Sequence, residues 1–405
     1  MNDSAYPTKR WAILGIAWGG FFAVAMAWYV MPTLQPDILE LYGVTAAQFR
    51  TALTLPFLVA GILAIPGGII ADRIGIRRAA TLGLGIAGVG FLLRSQVGGF
   101  WSLLLPMLLV GVGMGLTMPN LPKLVSVWFP PDETGLATGI YNTGLMGGLS
   151  TGLIIAPFLP GWSSGNLLLG GVVLVLAIAF FAIVRDSPPG DELPKTPMIE
   201  GIQRAVKSRN TWIASFALFA GLTGMVAIQG ELPVGLFEMY DIPTATGGQI
   251  ASLITYASVV GALTIPGFAT RRDRRKTMLV VASVGFGVVM FPVWLTGNVT
   301  VLFVGTAIAG YLAGGALPII MEVPTWLPRL ESDPVEAQHV GAASGLMTSL
   351  MNVGGFVGLP FIIGPIIDLQ GYTVAFGVAM VIFAFQGILG LLFTFPEITE
   401  PAGSR

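Results

Sequence analysis

VAGILAIPGGIIADRIGIRR, Val59 to Arg78, is the stretch from which the fold is read. An apolar run passes Gly67-Gly68, reaches Asp72-Arg73 and Gly75, and closes on Arg77-Arg78. Two hundred residues later the pattern returns as VVGALTIPGFATRRDRRK, Val259 to Lys276. Val59, Gly61, Leu63, Ile65, Pro66 and Gly67 reappear as Val259, Gly261, Leu263, Ile265, Pro266 and Gly267, and both copies end in arginines. Other segments keep the correspondence. Glu40 and Tyr42 match Glu238 and Tyr240, Gly113 to Pro119 is loosely echoed by Ala313 to Pro318, and Gly135 to Gly139 answers Gly341 to Gly345. A long repeat with the same direction of travel in both copies is the trace of a duplicated membrane half.

Composition agrees. Of 405 residues, 54% are hydrophobic and only 10% charged, where soluble domains carry about a quarter charged. A hydrocarbon core about 30 Å thick demands spans of roughly 20 apolar residues, and the chain supplies them almost end to end. The 55 glycines suit membrane helices, which approach closely where small residues line the contact. No cysteine is present, which excludes disulfides and thiolate metal sites, and a single histidine cannot build a zinc site. Near-zero net charge gives no footing for a nucleic-acid partner.

Twelve spans are expected, near 11–32, 48–71, 79–97, 101–128, 135–158, 166–184, 211–237, 246–270, 277–296, 299–327, 339–367 and 372–395. The run from Trp11 to Met31 is too long for a cleaved signal and reads as the first retained span. The fold class is thus all-α, two pseudo-symmetric groups of six helices. Expected divisions are residues 1–184, a linker over 185–209 rich in Pro and Gly at its start, and 210–405. With the N-terminus placed in the cytoplasm, all but three of the 20 Lys and Arg fall on that side or at its edge. Lys195 and Arg405 are among them; Lys123 lies within a span, and Arg50 and Arg94 fall outside. By the positive-inside rule both termini face the cytoplasm of a plasma membrane.

Gly68 to Arg78 resembles the loop signature of the major facilitator superfamily, G-x-x-x-D-R-x-G-x-R-R. The resemblance implies twelve transmembrane helices and transport by alternating access. It assigns Asp72, with Arg73, Gly75, Arg77 and Arg78, to a latch against the cytoplasmic start of span eleven, Gly341 to Gly345. Ile76 departs from the family's commonly basic residue, and the second copy is degenerate at Arg272-Asp273. The other reading of these arginines is ordinary topogenic charge.

Ionisable groups inside spans are functional candidates by default. Lys123 and Glu322 occupy equivalent repeat positions, counted from Pro119 and Pro318, and would meet across the cleft as a cytoplasmic gate. The alternative is that each snorkels to the interface. Glu231 stands about 10 Å above the middle of span seven, at 1.5 Å per residue. It reads either as a site for a coupling H+ or Na+ or as a carboxylate in a wet outer vestibule. Trp18, Phe22, Ala25 and Tyr29 share one face of span one at helical spacing. Tyr29, Asn120, Tyr141, Asn142, Gln229, Tyr256, Tyr311 and Asn352 are substrate-contact candidates on spans that line the cavity in proteins of the family, although such residues are more often packed or lipid-facing.

Trp128-Phe-Pro130, Gly135 to Gly144 and Met351 to Gly358 resemble nitrate/nitrite porters and cyanate-permease-type proteins. Nitrate porters place arginines in spans two and eight; here those stretches read Leu63-Ala-Ile-Pro66 and Leu263-Thr-Ile-Pro266, which argues against nitrate itself. Proton-driven drug exporters carry an arginine early in span four and a proline-bearing glycine motif in span five. Leu103 to Met107 and Gly144 to Gly148 lack both. No G-x-x-x-x-G-K-[ST] loop exists for ATP. The expected function is a monomeric secondary transporter of a small solute, with a small organic or inorganic anion as the favoured class, without cofactor or metal. The alternatives are a cation- or proton-coupled carrier of a neutral or cationic molecule, and a non-transporting sensor on the same scaffold, though sensors usually append a signalling domain and no tail of that length is seen. A membrane enzyme would need a nucleophile–base set or a carboxylate cluster, and none stands out.

Overall fold

The computed structural model describes residues 9–130, 133–187, 198–272, 274–330 and 332–394. Lys195, Asp273 and Arg405 lie outside the described residues. All regular structure among the described residues is helical. The first half comprises α1 (Lys9–Trp28), α2 (Gln35–Tyr42), α3 (Ala46–Ile74), α4 (Ile76–Arg94), α5 (Phe100–Thr117), α6 (Leu121–Trp128), α7 (Thr134–Ile155) and α8 (Gly161–Ile183). A linker helix, α9 (Met198–Lys207), leads to α10 (Arg209–Tyr240), α11 (Thr244–Arg271), α12 (Arg275–Thr296) and α13 (Val299–Gly314). The last half finishes with α14 (Ala316–Met321), α15 (Val323–Trp326), α16 (Val340–Val357), α17 (Gly364–Gln370) and α18 (Tyr372–Gly390).

Among the described residues, eleven rods are long and apolar enough to cross a membrane. The twelfth, α7, has 22 residues and stands in the same bundle, but its Gly, Thr and Asn content lowers its hydropathy. Prolines explain the broken rods. Span four gives way at Met118–Asn120, around Pro119, before resuming as α6. Span eleven passes through a π-helical turn at Gly358–Ile363, where Pro360 lacks an amide to donate. The short helix α2 between spans one and two is an element the hydropathy pattern does not reveal.

Within the first half α1 packs on α7 and α8, α3 on α5, and α4 on α5 and α8. The second half repeats the scheme: α10 on α16 and α18, α11 on α13, α12 on α13 and α18. The halves meet along two seams, α3 with α16 and α7 with α11. Glycine makes several contacts close: a Cβ on Gly67 would collide with the Gly115 carbonyl, and one on Gly261 with the Tyr311 carbonyl.

Arg94 takes a role that sequence reading gave to outer-side charge. It is fully buried, donates from Nε to Asn166 Oδ1 at 2.6 Å and from Nη2 to the Ala27 carbonyl, and lies over Trp162 at 5.2 Å. It staples spans one, three and six, with no acidic partner among the described residues.

The linker is fastened at both ends. The Arg185 carbonyl accepts from Trp128 Nε1 at 3.1 Å, and Asp186 Oδ1 accepts from the Arg77 amide at 2.7 Å. On the other side α9 packs on α16, and Arg204 bonds Glu336 while holding Glu200 at 3.1 Å.

Candidate functional site

Charge is scarce in the bundle, so the charged side chains that do meet define its working parts. At one end α3 begins with a capping box, in which the Thr45 side chain accepts from the Gln48 amide and Gln48 reaches back. The box fixes the entry of the helix and carries Arg50 inward. Arg50 is 2% exposed and grips the opposite half. Its Nε donates to Glu231 Oε1 of α10 at 3.0 Å, and its Nη1 donates to Asp368 Oδ1 of α17 at 2.9 Å. Tyr372 Oη of α18 completes the cluster, 3.3 Å from Glu231 Oε2. Glu231 is wholly buried, so it stands in no wet vestibule. A buried carboxylate is tolerable only with its charge matched and its lone pairs taken. Arg50 and Tyr372 supply both.

Around this clamp the seams are tight. Ser150 Oγ of α7 donates to the Ser252 carbonyl of α11 at 3.1 Å, and Thr151 and Tyr256 hydroxyls lie 2.8 Å apart across the same seam. On the other seam a Cβ at Gly61 would lie 2.9 Å from Asn352 Cβ.

The opposite end is arranged differently. Lys123 Nζ donates to Asp72 Oδ1 at 2.6 Å and to the Gly68 carbonyl at 3.3 Å, all within the first half. Glu322 lies 3.9 Å from Arg275, both in the second half. Thus Lys123 and Glu322, expected to meet, are each paired at home here. Asp72 likewise engages Lys123, and no hydrogen bond joins it to residues 341–345 among the described residues. The reason is geometric: Gly135, Gly139, Gly341 and Gly345, at the starts of α7 and α16, have no neighbour within 4 Å of a built Cβ. The halves are parted at the Asp72 end and locked at the Arg50 end.

The signature turn has a defined geometry. Gly75 adopts φ 91° and ψ 149°, a region essentially reserved for glycine, and ends α3 while opening α4. Asp186 caps α4 there, and Arg77 donates from Nε to the Phe181 carbonyl at 2.6 Å with its guanidinium 4.0 Å over the Phe181 ring. Arg73 and Arg78 are exposed. A Cβ on Gly75 would fall 2.6 Å from Asp186 Oδ2. Gly75→Ala is therefore expected to cost about 1–3 kcal/mol from backbone strain alone, read as a lowered unfolding temperature. Asp186→Ala should recover none of the strain.

Of the solute-contact candidates, Asn142, Tyr256 and Tyr311 are exposed, and Tyr311 Oη accepts from Thr264 at 3.1 Å. Tyr29, Asn120, Tyr141, Gln229 and Asn352 are buried. Tyr29 stacks edge-on to Trp28; Asn120 bonds the Leu116 carbonyl at 2.8 Å where span four breaks; Gln229 bonds Thr255. Sequence reasoning missed Arg50, Asp368, Tyr372, Asp186 and Arg275 as site members. The one signal available was faint: Arg50 is the third residue of the expected span 48–71, too near its end for a charge to stand out.

The family model described as "Major Facilitator Superfamily" matches residues 16–325. The chain is 28% identical over 298 residues to the cyanate transport protein of Escherichia coli, covering 71% of this chain and 74% of that one. It is 24% identical over 384 residues to a probable nitrate transporter of Staphylococcus carnosus, covering 91% of each. The crystal structure of a bacterial homolog of the human lysosomal transporter Spinster superposes with a TM-score of 0.73 at 16% identity, over 95% of this chain and 97% of that one.

Proposed function

The chain belongs to the Major Facilitator Superfamily of transporters, and we propose that it carries a small monovalent anion across the cytoplasmic membrane by alternating access. The observation that supports this most is the layout of charge. Arg50 binds Glu231 and Asp368 across the halves at one end, while at the other Asp72–Lys123 and Arg275–Glu322 stay within their own halves. Such an arrangement belongs to a machine closed on one side and open on the other.

In this reading residues 1–184 and 210–405 rock as two bodies. Both termini and the Asp72 end face the cytoplasm, as the excess of Lys and Arg there favours. Release of Arg50 from Glu231 opens the outer end; at the inner end Asp72 then leaves Lys123 for the start of α16, and Lys123 turns to Glu322. A proton on Glu231 removes the charge that holds Arg50, which makes this carboxylate the coupling site. The anion assignment draws on the relatives, whose names specify cyanate and nitrate. In this chain Lys123 and the exposed Asn142, Tyr256 and Tyr311 would supply the donors. Leu63 and Leu263 stand at the matching stretches where nitrate porters hold arginines, so a monovalent anion other than nitrate is favoured.

The test is uptake into proteoliposomes of a panel of small monovalent anions, neutral solutes and cations, with an imposed pH gradient. One anion should accumulate, and Glu231→Gln should remove the dependence on the gradient. Lys123→Met should lower uptake at least tenfold. It should barely move the unfolding temperature, because a half-exposed ion pair contributes about 0–1 kcal/mol. Accumulation of cations or neutral solutes alone would overturn the anion assignment.

A further inference from the structure

On the outer flank of the second half, α10, α18 and the π-helical turn enclose a groove of about 600 Å³. Its walls include Trp212, Phe216, Ile362, Phe385 and Leu389, and Phe216 and Phe385 are about half exposed. Along α10 the lining runs from Arg209 to Thr223, a length of about 21 Å at 1.5 Å per residue. That is the scale of an extended acyl chain and far longer than a small polar solute.

The mouth is basic. Arg209 is both a lining residue and exposed, and Lys207 is exposed beside it. Among the described residues neither has an ion-pair partner, in contrast to Arg204, which is held by Glu200 and Glu336. Asp333 is already committed to the Ser208 hydroxyl at 2.8 Å and the Val335 amide at 3.1 Å. Trp212 stacks on Phe216 with centroids 5.8 Å apart and donates from Nε1 to the Val206 carbonyl at 2.8 Å. An indole in that position marks the level where headgroups begin.

We propose that this groove seats one anionic phospholipid, its acyl chain along α10 and α18 and its phosphate held by Arg209 and Lys207. An apolar trench within a membrane is filled by lipid tails in any case. Selection for an anionic head comes from two unneutralised cations at the headgroup level, the arrangement by which basic pockets beside membrane helices choose their lipids. The proposal is independent of the transported solute.

The experiment uses purified protein in detergent, titrated with phosphatidylglycerol or with phosphatidylcholine of the same acyl chains. Thermal unfolding and native mass spectrometry are the readouts. Phosphatidylglycerol should raise the unfolding temperature saturably, and one copy should survive into the gas phase. A ligand that binds only the folded state shifts stability in proportion to its occupancy. Lys207→Gln/Arg209→Gln, both at exposed positions, should weaken phosphatidylglycerol binding at least tenfold and bring the two lipids level. Leu389→Trp, which adds an indole to the groove wall, should lower retention of both lipids. Equal stabilisation of the wild type by the two lipids would overturn the proposal, as would a headgroup preference that survives the double substitution. Inorganic phosphate reproducing the full shift would replace the lipid with a free-anion site and overturn it as well.

Discussion

Replacing Arg50 by methionine is expected to destabilise the folded protein by about 3–5 kcal/mol, because it strands Glu231 as a buried, unpaired carboxylate. Glu231 is 0% exposed and, among the described residues, draws its charge compensation from Arg50 alone, with Tyr372 adding a hydrogen bond. Asp368 is in a different position. At 52% side-chain exposure it is solvated and loses little when Arg50 goes. The destabilisation should therefore come from Glu231, and Arg50→Met/Glu231→Leu should recover most of the stability lost, since a buried ion pair exchanged for apolar groups of similar size is often neutral. Thermal and denaturant unfolding of the single and double variants check this. Spin labels on α2 and α18 should also show the Arg50 end spreading in both variants. The natural chain contains no cysteine, so labelling cysteines can be introduced without removing any. A loss below about 1 kcal/mol in Arg50→Met would mean that the contact is incidental.

The second large effect is expected at glycine. Gly261 and Gly267 are six residues apart on α11 and both belong to the repeated motif. A methyl on Gly261 would drive into the Tyr311 carbonyl, whereas Gly267 has nothing within 4 Å. The Tyr311 carbonyl belongs to the backbone of α13 and cannot rotate aside, so the helices must separate. Gly261→Ala should cost about 1–3 kcal/mol, the usual consequence of overpacking. Gly267→Ala should be neutral or stabilising by up to about 1 kcal/mol, because alanine is the better helix former. Unfolding temperatures that move in the same direction for both would refute the assignment of this close contact.

These glycines show what the repeat reveals and what it hides. Gly61 and Gly261 are equivalent in sequence, yet Gly61 meets Asn352 across the halves while Gly261 meets Tyr311 within one. Repetition relates positions; it does not relate contacts. The spans were legible because hydropathy over some 20 residues survives any local irregularity, and the fold class followed. Glu231 was legible as a charge inside a span. Arg50 was not recognisable as its partner, being 181 positions away and near a span end, where a charge needs no explanation. Asp186 looked like the opening of a breaker-rich linker, and only the returning chain places it on the amide of Arg77. Tyr29 and Asn352 carry polar groups that suggest a cavity, but their helix faces turn into packing seams. Lys123 and Glu322 are matched by symmetry, and the parted halves pair each with a neighbour instead.

The double fastening of the linker sets a mechanical limit. Asp186 anchors the connection to the first half, and Arg204 anchors α9 to the second. Between Ser187 and Met198 lie 11 peptide steps, which reach at most about 40 Å when drawn straight. The covalent length of this connection therefore caps any separation of the halves at the Asp72 end that the proposed transport cycle would require, and each residue deleted from it would shorten the permitted travel by about 3.5 Å.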